Sequence, residues 1–169
     1  MEIRATCPAD YVQIDNLLKA AFGGPGEAKL VKRLRQDGDI KVSLVATVDA
    51  HIVGHIVLSK MTSKTTDETS NPVRILGLAP VSVLPAYQNQ GIGSVLIRRS
   101  LALAKTSDWQ AVFLLGHADY YPRFGFNAKL AQPFTSPYSG SNFMALELQD
   151  GILHGRSGAV SFAPAFSAP

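Results

Sequence analysis

Apolar and polar positions alternate over residues 2–6, which predicts a short strand. Pro8-Ala9-Asp10 then opens a helix in which Val12, Ile14, Leu17, Leu18 and Ala21 form an apolar stripe, and Gly23-Gly24-Pro25-Gly26 stops it. A second helix is predicted from Glu27 to about Gln36. Leu30, Val31 and Leu34 share one face, while Lys29, Lys32, Arg33 and Arg35 lie largely on the other, as a solvated surface does. Asp37-Gly38-Asp39 ends that helix. The β-branched runs 42–48 and 52–61 meet at Asp49-Ala50 and predict an antiparallel hairpin, followed by a polar, turn-like segment over 62–71.

Residues 73–84 are almost continuously apolar, but Gly77 and Pro80 interrupt them too soon for a helix, so the run predicts a buried central strand with a bend or bulge. Proline has no N–H to give a central ladder, so pairing on one side of this strand must fail near Pro80. A polar loop, residues 85–90, leads into a helix from Gly91 to about Lys105, with Ile92, Val95, Leu96 and Leu103 on one stripe and cations toward its carboxyl end. Residues 111–115 predict another buried strand, 118–124 a short helix and 143–148 a later alternating strand. Strands and helices thus interleave in a mixed α/β pattern. There is neither an internal repeat nor a linker, and 169 residues suit a single domain, 1–169.

Composition narrows the classes. With 46% hydrophobic and only 17% charged residues, the chain is neither disordered nor a coiled coil. A net charge of +3 suits an anionic small ligand but does not argue for nucleic acid. The lone Cys7 rules out an internal disulfide and a zinc site built of cysteines, and fits a reducing, cytoplasmic setting. The amino terminus lacks the basic and apolar regions of a secretion signal. The uncharged stretch 75–97 is long enough to span a membrane, but Pro80, Pro85 and Gln88-Asn89-Gln90 break it, so no transmembrane helix is expected. His51 and His55 share one strand face without a third ligand, and no metal site is expected.

The most informative segment is Gln88-Asn89-Gln90-Gly91-Ile92-Gly93-Ser94, where two glycines open a helix directly after a buried strand. Glycine lets a ligand approach the main chain, and the free first-turn N–H groups with the helix dipole attract phosphate. A P-loop would need a Gly-Lys-Ser/Thr ending that is absent, and a dinucleotide fingerprint would need a small residue where Leu96 stands. The pattern that remains, [QR]-x-x-G-x-[GA], resembles the pyrophosphate loop of the GCN5-related N-acetyltransferase (GNAT) family. Val81-Ser82-Val83, Pro85, Tyr87, the loop itself and Tyr120-Tyr121-Pro122-Arg123-Phe124-Gly125-Phe126 follow in the order and spacing of that family. The resemblance covers about residues 3–148. The remainder, about 149–169, forms a C-terminal extension similar to that of a poorly characterised bacterial subgroup of predicted acetyltransferases.

The resemblance implies a mixed, mostly antiparallel sheet flanked by helices and splayed open between the strands ending at Leu84 and Leu115. Acetyl-CoA would lie in the splay as co-substrate. Its pantetheine arm would pair with Val81-Ser82-Val83 like an added strand, and its pyrophosphate would sit on the loop from Gln88 through Asn89, Gln90, Gly91, Ile92 and Gly93 to Ser94. Tyr121 matches the family's general acid, since a phenol can protonate the departing thiolate; Tyr120 is left to packing or the ligand wall. The family's frequent strand glutamate has no counterpart here. His117, at the end of the next strand, is the candidate base, the alternatives being a histidine that satisfies a loop carbonyl or a water chain with no dedicated base. Asp119 reads as a helix cap. By the same analogy, Phe22 and the Gly23-Gly24-Pro25-Gly26 loop border the acceptor pocket.

The implied activity is transfer of acetyl from acetyl-CoA to an amine, small molecule or peptide, by direct attack. The missing carboxylate leaves open a non-catalytic acyl-CoA-binding module, and the loop, which reads pyrophosphate only, leaves open another acyl donor or a hydroxyl acceptor. The uncharged tail, 157–169, suits a cover for a homodimer partner or for the chain's own sheet edge.

Overall fold

Asp49 and Ala50 both adopt positive φ, and this tight turn folds β2 (Ile40–Val48) back on β3 (His51–Lys60) as the hairpin pattern predicts. The computed structural model describes residues 1–65 and 72–167. β1 (Glu2–Ala5) pairs antiparallel with β2, and a 3-10 turn (Pro8–Asp10) leads into α1 (Tyr11–Phe22), which ends at the left-handed Gly23. α2 (Gly26–Gln36) follows. α1 buries Ile14, Leu17 and Leu18, but Val12 is exposed, so the stripe is narrower than the sequence pattern suggests. Arg35 leaves the solvated face of α2 and stacks on Tyr11 at 3.5 Å.

The polar segment predicted as a turn is in part a strand: β4 (Thr62–Thr65) pairs with β9 (Gly158–Ser161), whose main chain supplies the ladder that polar side chains do not preclude. The rest of that segment, 66–71, lies outside the described residues. β5 (Ile75–Val83), α3 (Ile92–Thr106) and β6 (Ala111–Leu115) fall where predicted. On α3, however, Leu103 points outward. The buried face is Ile92, Leu96, Ile97, Ser100, Leu101 and Ala104, a spacing that leaves position 103 on the solvent side. Residues 118–124 are not one helix: a turn precedes a 3-10 helix over Tyr121–Phe124, closed by left-handed Gly125. α4 (Ala128–Ala131), β7 (Phe134–Thr135) and β8 (Phe143–Glu147) complete the elements, with β9 already named.

The main sheet runs β1-β2-β3-β5-β6-β8, antiparallel throughout except for β5 and β6, and a smaller sheet runs β4-β9-β7. α3 packs on one face, over Leu44, Ala46, Ile56, Leu58, Leu76 and Leu78. α1 and α2 cover the other face through Val45, Ile52 and Val57, joined by Ala163 and Ala165 of the tail. The tail therefore covers its own domain's core: Phe162 lies over Gly77 so closely that a Cβ there would stand 2.7 Å from its ring. No helix among the described residues is long and apolar enough to cross a membrane.

Candidate active site

The site begins with a failure of pairing. β6 pairs with β5 only from Ile75 to Gly77, and β5 continues to Val83 without it, so the sheet opens beyond Gly77. Opposite the same point, the span from Leu78 to Val81 faces only Ile56 to Leu58 of β3. One extra residue is thus accommodated at Ala79-Pro80, where proline could not have served a central ladder. The bulge reverses the alternation of side chains, so that Leu76 and Leu78 before it and Val81 and Val83 after it all pack on the α3 side.

Main-chain direction on the open stretch follows from the ladder. Leu84 N–H donates to Val53 C=O at 2.8 Å, so Ser82, two residues back in the same register, also turns its main chain to β3. Val81 and Val83 then present theirs to the opening. Gln88 Nε2 reaches back to Val83 C=O at 3.1 Å, which places that carbonyl on the open side and fixes the start of the loop. The Ser82 hydroxyl is buried on the opposite face, turned away from the opening together with its main chain.

Asn89 and Gly91 have positive φ, and Gly91 serves as the left-handed residue before α3. A Cβ on Gly91 would meet nothing within 4 Å, so glycine is needed there for its backbone angle. A Cβ on Gly93 would make only ordinary contacts with Val83 and the Tyr120 hydroxyl. At Gly54 of β3, by contrast, a Cβ would stand 3.0 Å from Leu96 and 3.1 Å from Ile92; this bare patch lets the first turns of α3 settle on the sheet. The result is a cavity of about 410 Å³ lined by Val83, Gln88, Asn89, Gly91, Ile92, Gly93 and Ser94 and closed by Tyr87, Tyr120 and Arg123. Of the residues expected from the sequence, Val81, Ser82, Gln90, His117 and Tyr121 lie outside this lining, and Gln90 Nε2 is turned to Ala86 C=O.

Tyr120 and Tyr121 stand edge to face at 5.1 Å, and the Tyr120 hydroxyl is 3.1 Å from Ser94 Oγ in the first turn of α3. Tyr121 is half-buried among Tyr120, Phe124 and Phe126. Burial, reinforced by Tyr120, raises its pKa above the ordinary phenol value, so it keeps its proton at neutral pH. Its ring lies on Gly116, where a Cβ would overlap it. His117 is exposed just beyond β6, its carbonyl accepting from the N–H groups of Tyr120 and Tyr121, with no hydrogen bond to its ring among the described residues. Asp119 is exposed and does not cap: Tyr120 occupies the cap position of the short helix, without a side-chain bond.

The arrangement suits an elongated anion: phosphate on the loop amides, an extended arm along the free edge of β5 and a phenol beyond. Three contributors have no assigned role in the sequence reading, although Tyr87 and Arg123 belong to the matching pattern. Tyr87 and Arg123 reach the cavity, and Gly116 seats Tyr121. Arg123 left one signal, a lone cation within an otherwise aromatic motif. Among the described residues, no group of three His, Cys, Asp or Glu side chains is placed to hold a metal.

Comparison with known proteins agrees with this geometry. The family model of the acetyltransferase (GNAT) domain matches residues 39–128. The uncharacterized N-acetyltransferase YhbS of Escherichia coli is 32% identical, over 99% of each chain. YjhQ of the same organism, also an uncharacterized N-acetyltransferase, is 39% identical over 72% of this chain and 66% of its own. The crystal structure of E. coli YhbS in complex with CoA superposes with a TM-score of 0.88, covering 99% of this chain and 92% of that one. A GNAT-family acetyltransferase from Brucella melitensis in complex with acetyl-CoA, 32% identical, gives 0.80 over 98% and 97%.

Proposed function

Because the chain belongs to the GNAT acetyltransferase family, we propose that it transfers the acetyl group of acetyl-CoA to the amine of an acceptor by direct attack, without a covalent enzyme intermediate. The observation that carries this reading is an open β5 edge leading to the glycine-bearing start of α3, in a cavity bounded by Tyr120, whose ring touches the half-buried Tyr121. The loop amides from Asn89 to Ser94 hold the diphosphate. Val81 and Val83 pair with the pantetheine arm as an added strand and hold the thioester in place. Tyr121 gives its proton to the sulfur as the C–S bond breaks. His117, exposed just beyond β6, takes a proton from the incoming ammonium and passes it to solvent. The complexes of YhbS with CoA and of the Brucella protein with acetyl-CoA support the choice of donor. A cytoplasmic setting accords with the single exposed thiol, Cys7.

One observation favours a second reading: β5 carries no Asp or Glu, and the His117 ring has no hydrogen-bond partner among the described residues, as a non-catalytic acyl-CoA-binding module would allow. Thiol release by the wild-type chain over a panel of amines separates the two, and Tyr121→Phe then tests the proton donor. For an enzyme, kcat should fall by about a hundredfold or more while acetyl-CoA affinity stays within about twofold. Unchanged turnover in Tyr121→Phe would remove this residue from the mechanism.

A further inference from the structure

Arg123 is the only charged residue in the lining of the cavity at the start of α3, and its setting is unusually well defined for an exposed side chain. The guanidinium carbon stands 4.4 Å from the centre of the Tyr120 ring, and Nε donates to Tyr120 C=O at 2.8 Å. Both Nη groups are left without a protein partner among the described residues. Tyr120 is itself tied to the helix start through the 3.1 Å contact of its hydroxyl with Ser94 Oγ. Arg123 and Tyr120 therefore share one cavity with the residues from Asn89 to Ser94, the guanidinium stacked on a ring that is tied to the Ser94 side chain.

We propose that Tyr120 and Arg123 are the side-chain half of the diphosphate site, with the Arg123 Nη groups binding the phosphate oxygens from the side opposite the amides of Gly91 to Ser94. Main-chain amides and a helix dipole supply only partial positive charge. A diphosphate carries about two negative charges, and a guanidinium held by stacking and by Nε matches its oxygens without first having to order a long side chain. Tyr120 also touches the Tyr121 ring, so filling the phosphate site restrains the neighbour of the proton donor. This inference rests on the acetyl-CoA reading above and names residues that the loop pattern alone does not.

The test is a binding series on the purified chain with three ligands: acetyl-CoA, its 3′-dephospho analogue and S-acetylpantetheine, which lacks the diphosphate. Arg123→Met should weaken the first two by the same factor, about tenfold, and leave the third unchanged. Arg123→Lys, which keeps a charge but loses the fork, should fall between wild type and Arg123→Met for the first two ligands only. Tyr120→Phe should show the same pattern at smaller size. Loss for acetyl-CoA but not for the dephospho analogue would move Arg123 to the 3′-phosphate and overturn the assignment. Equal loss for all three ligands would reduce Arg123 to a structural residue, and no loss for any would remove it from the site. Wild-type protein that does not bind acetyl-CoA would overturn both this inference and the function on which it rests.

Discussion

Gly116 has no Cβ because the Tyr121 ring occupies the space where one would stand. This contact fixes the phenol from below, while the edges of Tyr120, Phe124 and Phe126 fix it from the sides. A proton donor must be held within a fraction of an ångström of its target, so the account predicts that Gly116→Ala lowers kcat by about tenfold or more. Acetyl-CoA affinity should stay within about twofold, because Gly116 does not line the phosphate cavity. Steady-state kinetics with parallel titration check this, and an unchanged kcat would mean that the ring position does not matter to turnover. No local pattern announces this glycine. Its partner comes five residues later, through a turn whose shape the sequence does not declare.

The elements differ in how far they could be read. The strand–loop–helix unit around Gly91 was legible because each part has its own local cause: an apolar run, a glycine needing positive φ, and a periodic helix. Pro80 is legible for the same reason, since its missing N–H lies where β5 bulges and beyond the last pair with β6. Where tertiary context decides, the pattern misleads. Leu103 is apolar yet exposed, and polar β4 becomes a strand because β9, almost a hundred residues away in sequence, offers it a ladder. Asp119 has the composition of a cap but lies within a turn, and Tyr120 takes the cap position. The motif singles out the loop from Gln88 to Ser94 and Tyr121; Tyr87 and Arg123 line the cavity only through the closure of one segment on another.

At the scale of the whole molecule, two buried titratable groups bind the face covered by α1 and α2 to acid-sensitive stability. His55 lies in the sheet with Nε2 on Ser43 Oγ at 3.2 Å. Burial above all, with Arg35 adding to it and Asp10 opposing, pushes its pKa from 6.5 down to about 4. Asp10, buried between the Arg4 fork at 2.7 and 2.9 Å and the Cys7 N–H, is held well below the usual carboxylate range by that pairing. Both pKa values are lower in the folded chain, so the unfolded chain binds more protons as pH falls. The His55 contribution is complete above about pH 6.5 and shrinks by about 3 kcal/mol on the way to about pH 4; that of Asp10 follows at lower pH. Urea unfolding at about pH 7, 5.5 and 4 should show this decline, and His55→Gln should flatten it, whereas an equal slope in the variant would clear His55. The same sheet opens beyond Gly77, and the proposed function places acetyl transfer at this opening. The most direct measurement is titration with acetyl-CoA followed by thiol release over a panel of amines. The expected result is saturable binding and thiol release that depends on an amine. Binding with no release for any amine would contradict the catalytic claim, and absence of binding would contradict the assignment of the loop from Gln88 to Ser94.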